Sequence, residues 1–118
     1  MAIGGKYHSG GGKIERGIVR LYEERNGNWK LLRNIYGKES GNWMGYSVAM
    51  SGSGTCVASG AIGHNSETGL VRIYEEHANG SWSRLGNDIL GSSIVDSFGS
   101  WVSLSYDGDI LAMCLSKE

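Results

Sequence analysis

Much of this chain is written twice, and that repetition restricts its fold more than any other feature. Gly17-Ile18-Val19-Arg20-Leu21-Tyr22-Glu23-Glu24 returns 52 residues later as Gly69-Leu70-Val71-Arg72-Ile73-Tyr74-Glu75-Glu76. Asn26-Gly27-Asn28-Trp29 returns at a spacing of 53 as Asn79-Gly80-Ser81-Trp82. Ile35, Gly37 and Gly45 return at 54 as Ile89, Gly91 and Gly99, followed by Val48/Val102, Ser51/Ser105, Gly54/Gly108 and Ala58/Ala112. A period near 50 residues marks one supersecondary unit that buries its apolar faces against its neighbours. Repeat one spans about 17–68 and repeat two about 69–118, after a partial strand and Gly-rich loop over 1–16. The two ends fall at related points of the cycle. Met1–Gly5 precedes the first Gly-x-Val-Arg segment much as Thr55–Gly63 precedes the second, and Ile110–Leu115 stands at that same point.

Each repeat reads as four strands. Ile18–Glu24 and Leu70–Glu76 are rich in β-branched and aromatic residues, which suit a pleated sheet. Alternation sends Ile18, Arg20 and Tyr22 to one face and Val19 and Leu21 to the other. Both faces are then partly apolar, as in a sheet lying between two others. Asn26-Gly27 and Asn79-Gly80 are hairpin turns, because both residue types tolerate positive φ. The next strands run from Trp29 to about Ile35 and from Trp82 to about Ile89. Tyr46–Ser51 and Ser100–Ser105 follow, and then Thr55–Ala61 and Ile110–Leu115 after turns at Ser51–Gly54 and Ser105–Gly108. No window shows the helical apolar period, so an all-β chain without helices is expected. The 20 glycines, absent prolines, 4 Trp and 6 Tyr agree with many short strands joined by tight turns.

Gly-x-Val-Arg-x-Tyr, Asn-Gly-x-Trp, Ile-x-Gly, Phe98-Gly99, Ser-Leu-Ser-x-Asp-Gly and a Leu-Ala strand together resemble FG-GAP-like β-propeller repeats. In the first repeat Met44-Gly45 stands where Phe-Gly would be, and Trp101 stands where the first repeat has the small Ser47. The resemblance implies four-stranded antiparallel blades arranged radially. Tyr46–Ser51 and Ser100–Ser105 would be innermost, and the strands from Trp29 and Trp82 outermost. Some integrin-type relatives hold calcium in Asp-x-Asp-x-Asp-Gly loops. Asp107-Gly108-Asp109 is too poor in carboxylates for that and reads as a hairpin turn.

Propellers use about 4–8 blades, and two would leave apolar faces and strand edges open. The inner half-blade 100–115 and the outer half-blade 17–35 are complementary. Head-to-tail joining of copies would complete a blade and close a homo-oligomeric ring, with Met1–Gly5 competing with Ile110–Leu115 for one place. The other reading is a piece of a longer surface or adhesion-type propeller.

The rest of the sequence argues against chemistry. A formal charge of −1 offers no attraction for nucleic acid or an anionic membrane. No run approaches the roughly 18 apolar residues of a spanning helix, and the N-terminus lacks a signal-peptide pattern. No motif specifies a catalytic residue, a metal or a cofactor. His8, His64 and His77 do not recur between repeats and read as solvated loop residues. Consecutive strand residues point apart, so Glu23-Glu24 and Glu75-Glu76 form no acid dyad; they read as solvated strand ends within reach of an inter-blade bond to Arg20 or Arg72. Cys56 and Cys114 allow one disulfide, but they fall at non-equivalent positions of the repeat and read as two buried thiols. Asn79-Gly80-Ser81 is a formal glycosylation sequon inside a turn. A non-enzymatic binding or scaffold module is expected, with a protein or glycan ligand. Its ligand-binding candidates are the exposed aromatics Trp43 and Tyr106, with Tyr7 and His8 beside the Gly10-Gly11-Gly12 loop. Aromatic stacking on sugar faces would make it a carbohydrate-binding, lectin-like propeller.

Overall fold

The computed structural model describes residues 1–94 and 96–114. Leu115 of the expected last strand, and the rest of repeat two beyond 114, lie outside the described residues. The fold is all-β and antiparallel. The first sheet contains β1 (Ala2–Gly5), β2 (Ile18–Arg25) and β3 (Asn28–Tyr36), in that order. The second has β4 (Met44–Met50), β5 (Cys56–Ala61), β6 (Leu70–Glu76) and β7 (Trp82–Arg84) in order, with β8 (Ile89–Leu90) also on β6. The third pairs β9 (Trp101–Leu104) with β10 (Leu111–Cys114).

The sheets stack face to face, and each interface is an apolar layer. Val19, Leu21 and Ile35 of the first sheet pack with Met44, Val57, Leu70 and Trp82 of the second. Ala58 and Val71, on the second sheet's other face, pack with Val102, and Leu104, Leu111 and Met113 join them from the third. Every residue of β5 is buried, because that strand has a strand on each side and a sheet on each face. Its small side chains, Ala58, Ser59, Gly60 and Ala61, let the neighbours come close.

How close is shown by the glycines. A Cβ on Gly60 would lie 1.9 Å from the Gly99 carbonyl oxygen, and one on Gly4 2.2 Å from that of Gly45. Gly4 and Gly60 occupy matching places, since Gly4 pairs with Val19 and Gly60 with Val71. Main-chain bonds recur likewise at aligned positions. Met44 N donates to Arg16 O at 3.1 Å and Phe98 N to Thr68 O at 3.2 Å; Gly37 N donates to Gly17 O at 3.1 Å and Gly91 N to Gly69 O at 3.0 Å.

Several expectations change in detail. The strand expected from Trp82 to Ile89 is broken into β7 and β8, with Gly86 at φ +68° in the gap. One extra residue lies between Trp82 and Ile89 relative to Trp29 and Ile35, and the break accommodates it. The Asn-Gly turns also differ. Arg25 pairs directly with Asn28, and Asn26 and Gly27 sit at φ +53° and +81°, a two-residue primed turn. Around Asn79 the extra Ala78 gives a wider turn, closed by His77 N to Ser81 O, in which only Gly80 is left-handed. A short helical turn, His64–Glu67, stands where no helix was expected. Asn65 and Ser66 in it have φ of +50° and +57°, so it is a left-handed turn and not an amphipathic helix.

Two side-chain expectations are corrected. Cys56 is buried but Cys114 is exposed, because among the described residues no sheet covers the outer face of β10. The paired glutamates do not bind Arg20 or Arg72. Glu23 accepts from Arg25 Nε at 2.7 Å and Glu24 from Gly27 N within its own turn, while Arg72 is taken by Asp88.

Candidate functional site

The loop between β1 and β2 is built to hold side chains in place. Gly10 and Lys13 exchange main-chain bonds of 3.0 and 3.1 Å around Gly11-Gly12, and Gly17 N returns to His8 O. Arg16 fastens the loop to its neighbour by donating from Nε to Gly37 O at 2.7 Å. The β3–β4 connection lies alongside, because Trp43 N and Met44 N donate to Glu15 O and Arg16 O.

Between these two loops sits a cluster of aromatic and cationic groups. Tyr7 meets Trp43 edge-on, with ring centroids 6.1 Å apart. Trp43 Nε1 donates to Glu15 Oε2 at 3.0 Å, which fixes the indole. Lys6 Nζ lies 4.7 Å from the Tyr7 ring centroid and 4.6 Å from that of Tyr46. An ammonium between two ring faces is attracted by both quadrupoles. Beside it, His8 leans on Tyr36 at 5.8 Å, and the Arg16 guanidinium lies 5.0 Å from the same ring. Tyr7, Tyr36 and Tyr46 are exposed. The cluster therefore offers aromatic surface and positive charge on a fixed frame, with one carboxylate already engaged.

Of the four residues singled out in the sequence, Tyr7, His8 and Trp43 belong to this cluster; Trp43, expected to be exposed, is half-buried against Tyr7 and Glu15. Tyr106 belongs to the β9–β10 turn, where its ring rests against Gly52 of the β4–β5 turn and its carbonyl accepts from Ser53 N at 2.8 Å. Lys6, Glu15, Arg16, Tyr36 and Tyr46 were not singled out, since only the adjacency of two loops brings them together. A groove runs from Lys6 and Tyr46 past Ser47 and Ser100 to Trp101.

No cluster of three metal-ligating side chains occurs among the described residues. Asp107 is engaged within its own turn, accepting from Ser105 Oγ at 2.7 Å and Asp109 N at 3.1 Å. These bonds hold its carboxyl below the usual carboxylate range. Burial pushes the Cys56 thiol up, away from the reactive thiolate. The most ordered charge pair is Arg72–Asp88, where Nε and Nη2 donate to Oδ1 and Oδ2 at 2.6 Å each. Arg72's hydrogen bonds depress the Asp88 pKa, and Asp88 in turn raises that of Arg72.

No family model matches the chain, and no curated protein matches it.

Proposed function

We propose that this chain is a non-enzymatic β-propeller-type module, related to FG-GAP-like repeats, whose sheets act as blades and whose loop-end cluster around Tyr7 and Trp43 binds a partner. The observation that carries this reading is the repeated sheet-to-sheet contact: Gly4 against Gly45, and Gly60 against Gly99. One stacking geometry applied twice generates an array, and a radial array of small sheets is a propeller. In that arrangement β4 and β9 are the innermost strands and β3 and β7 lie outside.

The outer faces support assembly with further copies. Trp82 is 5 % exposed under the first sheet, whereas its counterpart Trp29 is 55 % exposed. At the other end of the stack Trp101 is 74 % exposed. These residues bring apolar surface to both ends, and a head-to-tail contact between copies covers both at once. Native mass spectrometry and light scattering of the full chain test this. A discrete closed oligomer that dissociates cooperatively is expected. A monodisperse monomer across the micromolar range overturns the assembly.

A further inference from the structure

The two repeats treat one arginine differently. In the second sheet Arg72 is satisfied from within, by the forked bond to Asp88 just ahead of β8. The aligned residues of the first sheet are Arg20 and Asn34, which face each other across β2 and β3. Asn in place of Asp removes the anion and leaves the cation. Arg20 is exposed and makes no salt bridge or side-chain hydrogen bond among the described residues. Asn34 Oδ1 is buried without a donor, so the two side chains do not serve each other.

Arg20 borders a groove of about 240 Å³ lined by Ile3, Gly4, Gly5, His8 and Ile18. No acid lines it. The glycines leave its floor bare, the isoleucines give it apolar sides, and the guanidinium supplies a planar fork of donors suited to a carboxylate. Its volume is below the roughly 300 Å³ of a drug-sized pocket, so the fitting group is short.

We propose that this groove binds a carboxylate on a short apolar stem, which Arg20 holds as Arg72 holds Asp88. The stem lies between Ile3 and Ile18. The groove is on the outer face of the first sheet, which the proposed assembly would cover, so the inference concerns the separated chain and rests on that sheet alone. A free aliphatic acid and the glutamate side chain of a protein segment share this chemistry.

The test is a titration of the full chain, dilute enough to be monomeric, followed by NMR at the Arg20 Nε–H and the Ile3 and Ile18 methyls. Pentanoate is one probe, and a blocked Ala-Glu-Ala tripeptide is the other. A saturable shift at all three positions is expected from at least one probe, and none from pentanamide. Binding by pentanoate alone assigns a small acid, and tighter binding by the peptide assigns a protein segment. Asn34→Asp rebuilds the internal pair of the second repeat and is expected to weaken binding at least tenfold, as is Arg20→Gln. Thermal unfolding of both variants checks that the fold is kept. No saturable shift from either probe overturns the proposal, as does undiminished binding in both variants.

Discussion

Arg72 and Asp88 show how one charged pair can be tied into a stack of apolar sheets. The Arg72 side chain is 8 % exposed and that of Asp88 19 %, so both are largely out of water. Removing one partner of such a pair strands the other charge. Asp88→Asn is therefore expected to cost roughly 2–3 kcal/mol, less than a fully buried pair because Asp88 keeps some solvent. Chemical denaturation of wild type and variant measures it. The pH dependence follows from the direction of the Asp88 shift. Its folded pKa lies below the ordinary value, so the pair's stabilisation is complete above about pH 4–5. It is lost as pH falls through the depressed folded value. Asp88→Asn should flatten this acid limb of the stability curve, and an unchanged limb would assign the acid sensitivity to other carboxylates. Arg20 and Arg72 were visible in the sequence as a recurring pair, but the partner of Arg72 was not. Asp88 lies in the gap between β7 and β8, where the inserted residue is taken up, so its approach to Arg72 depends on how that gap folds. The adjacent glutamates were the nearer acids in sequence, but they sit at the solvated end of the strand.

The strands and hairpins were legible because their signals are local. Alternation in Ile18–Glu24, its copy in Leu70–Glu76, and the Asn-Gly dipeptides each act within a few residues. The left-handed turn at His64–Glu67 and the break between β7 and β8 were not legible, since the first comes from a connection shorter than its counterpart after β1 and the second from an inserted residue. The loop cluster was half legible for a related reason. Tyr7, His8 and Trp43 stand out as aromatics in polar loops, whereas Lys6 and Tyr46 are recruited only when β1 packs beside β4. The glycines divide in the same way. Gly27 sits at φ +81°, and a Cβ added there would meet nothing within 4 Å, so Gly27→Ala carries only the local conformational cost, about 1 kcal/mol. Gly60 instead faces the Gly99 carbonyl, 1.9 Å from where its Cβ would fall across the sheet interface, and that carbonyl, which accepts from Ser47 Oγ at 2.6 Å, cannot step aside cheaply. Gly60→Ala is expected to cost about 2–3 kcal/mol through overpacking. Thermal or chemical unfolding of the two variants compares them. Equal losses would mean that the sheets slide apart more easily than their hydrogen bonding implies.

At the level of the whole molecule, the same close approach decides how copies could join. β1 and β10 occupy equivalent places, β1 beside β2 and β10 beside β9. In the shared register Ala2 corresponds to Ala112 and Gly4 to Cys114, because both Ala2, facing Leu21, and Ala112, facing Ser103, match Ala58, which faces the counterparts Ile73 and Ala49. If β10 of one copy replaced β1 of another, the Cys114 side chain would fall at Gly4's place. A Cβ there would lie 2.2 Å from the Gly45 carbonyl. In the proposed assembly, then, β1 stays on β2, and β9 of the neighbouring copy leaves β10 to pair with it. Ser103 would then face Ala2 of another chain instead of Ala112 of its own. Facing Cβ atoms in an antiparallel pair are about 4.5–5.5 Å apart, near the span of a disulfide. In a Cys114→Ser background, Ala2→Cys with Ser103→Cys should oxidise to a bond between chains at positions 2 and 103, mapped by peptide mass spectrometry. Ser103→Cys with Ala112→Cys should cross-link poorly in the oligomer and within one chain in the monomer. An oligomer that bonds 103 to 112 and never 103 to 2 would keep the assembly but reject this exchange, leaving stacking of the outer faces as the contact between copies.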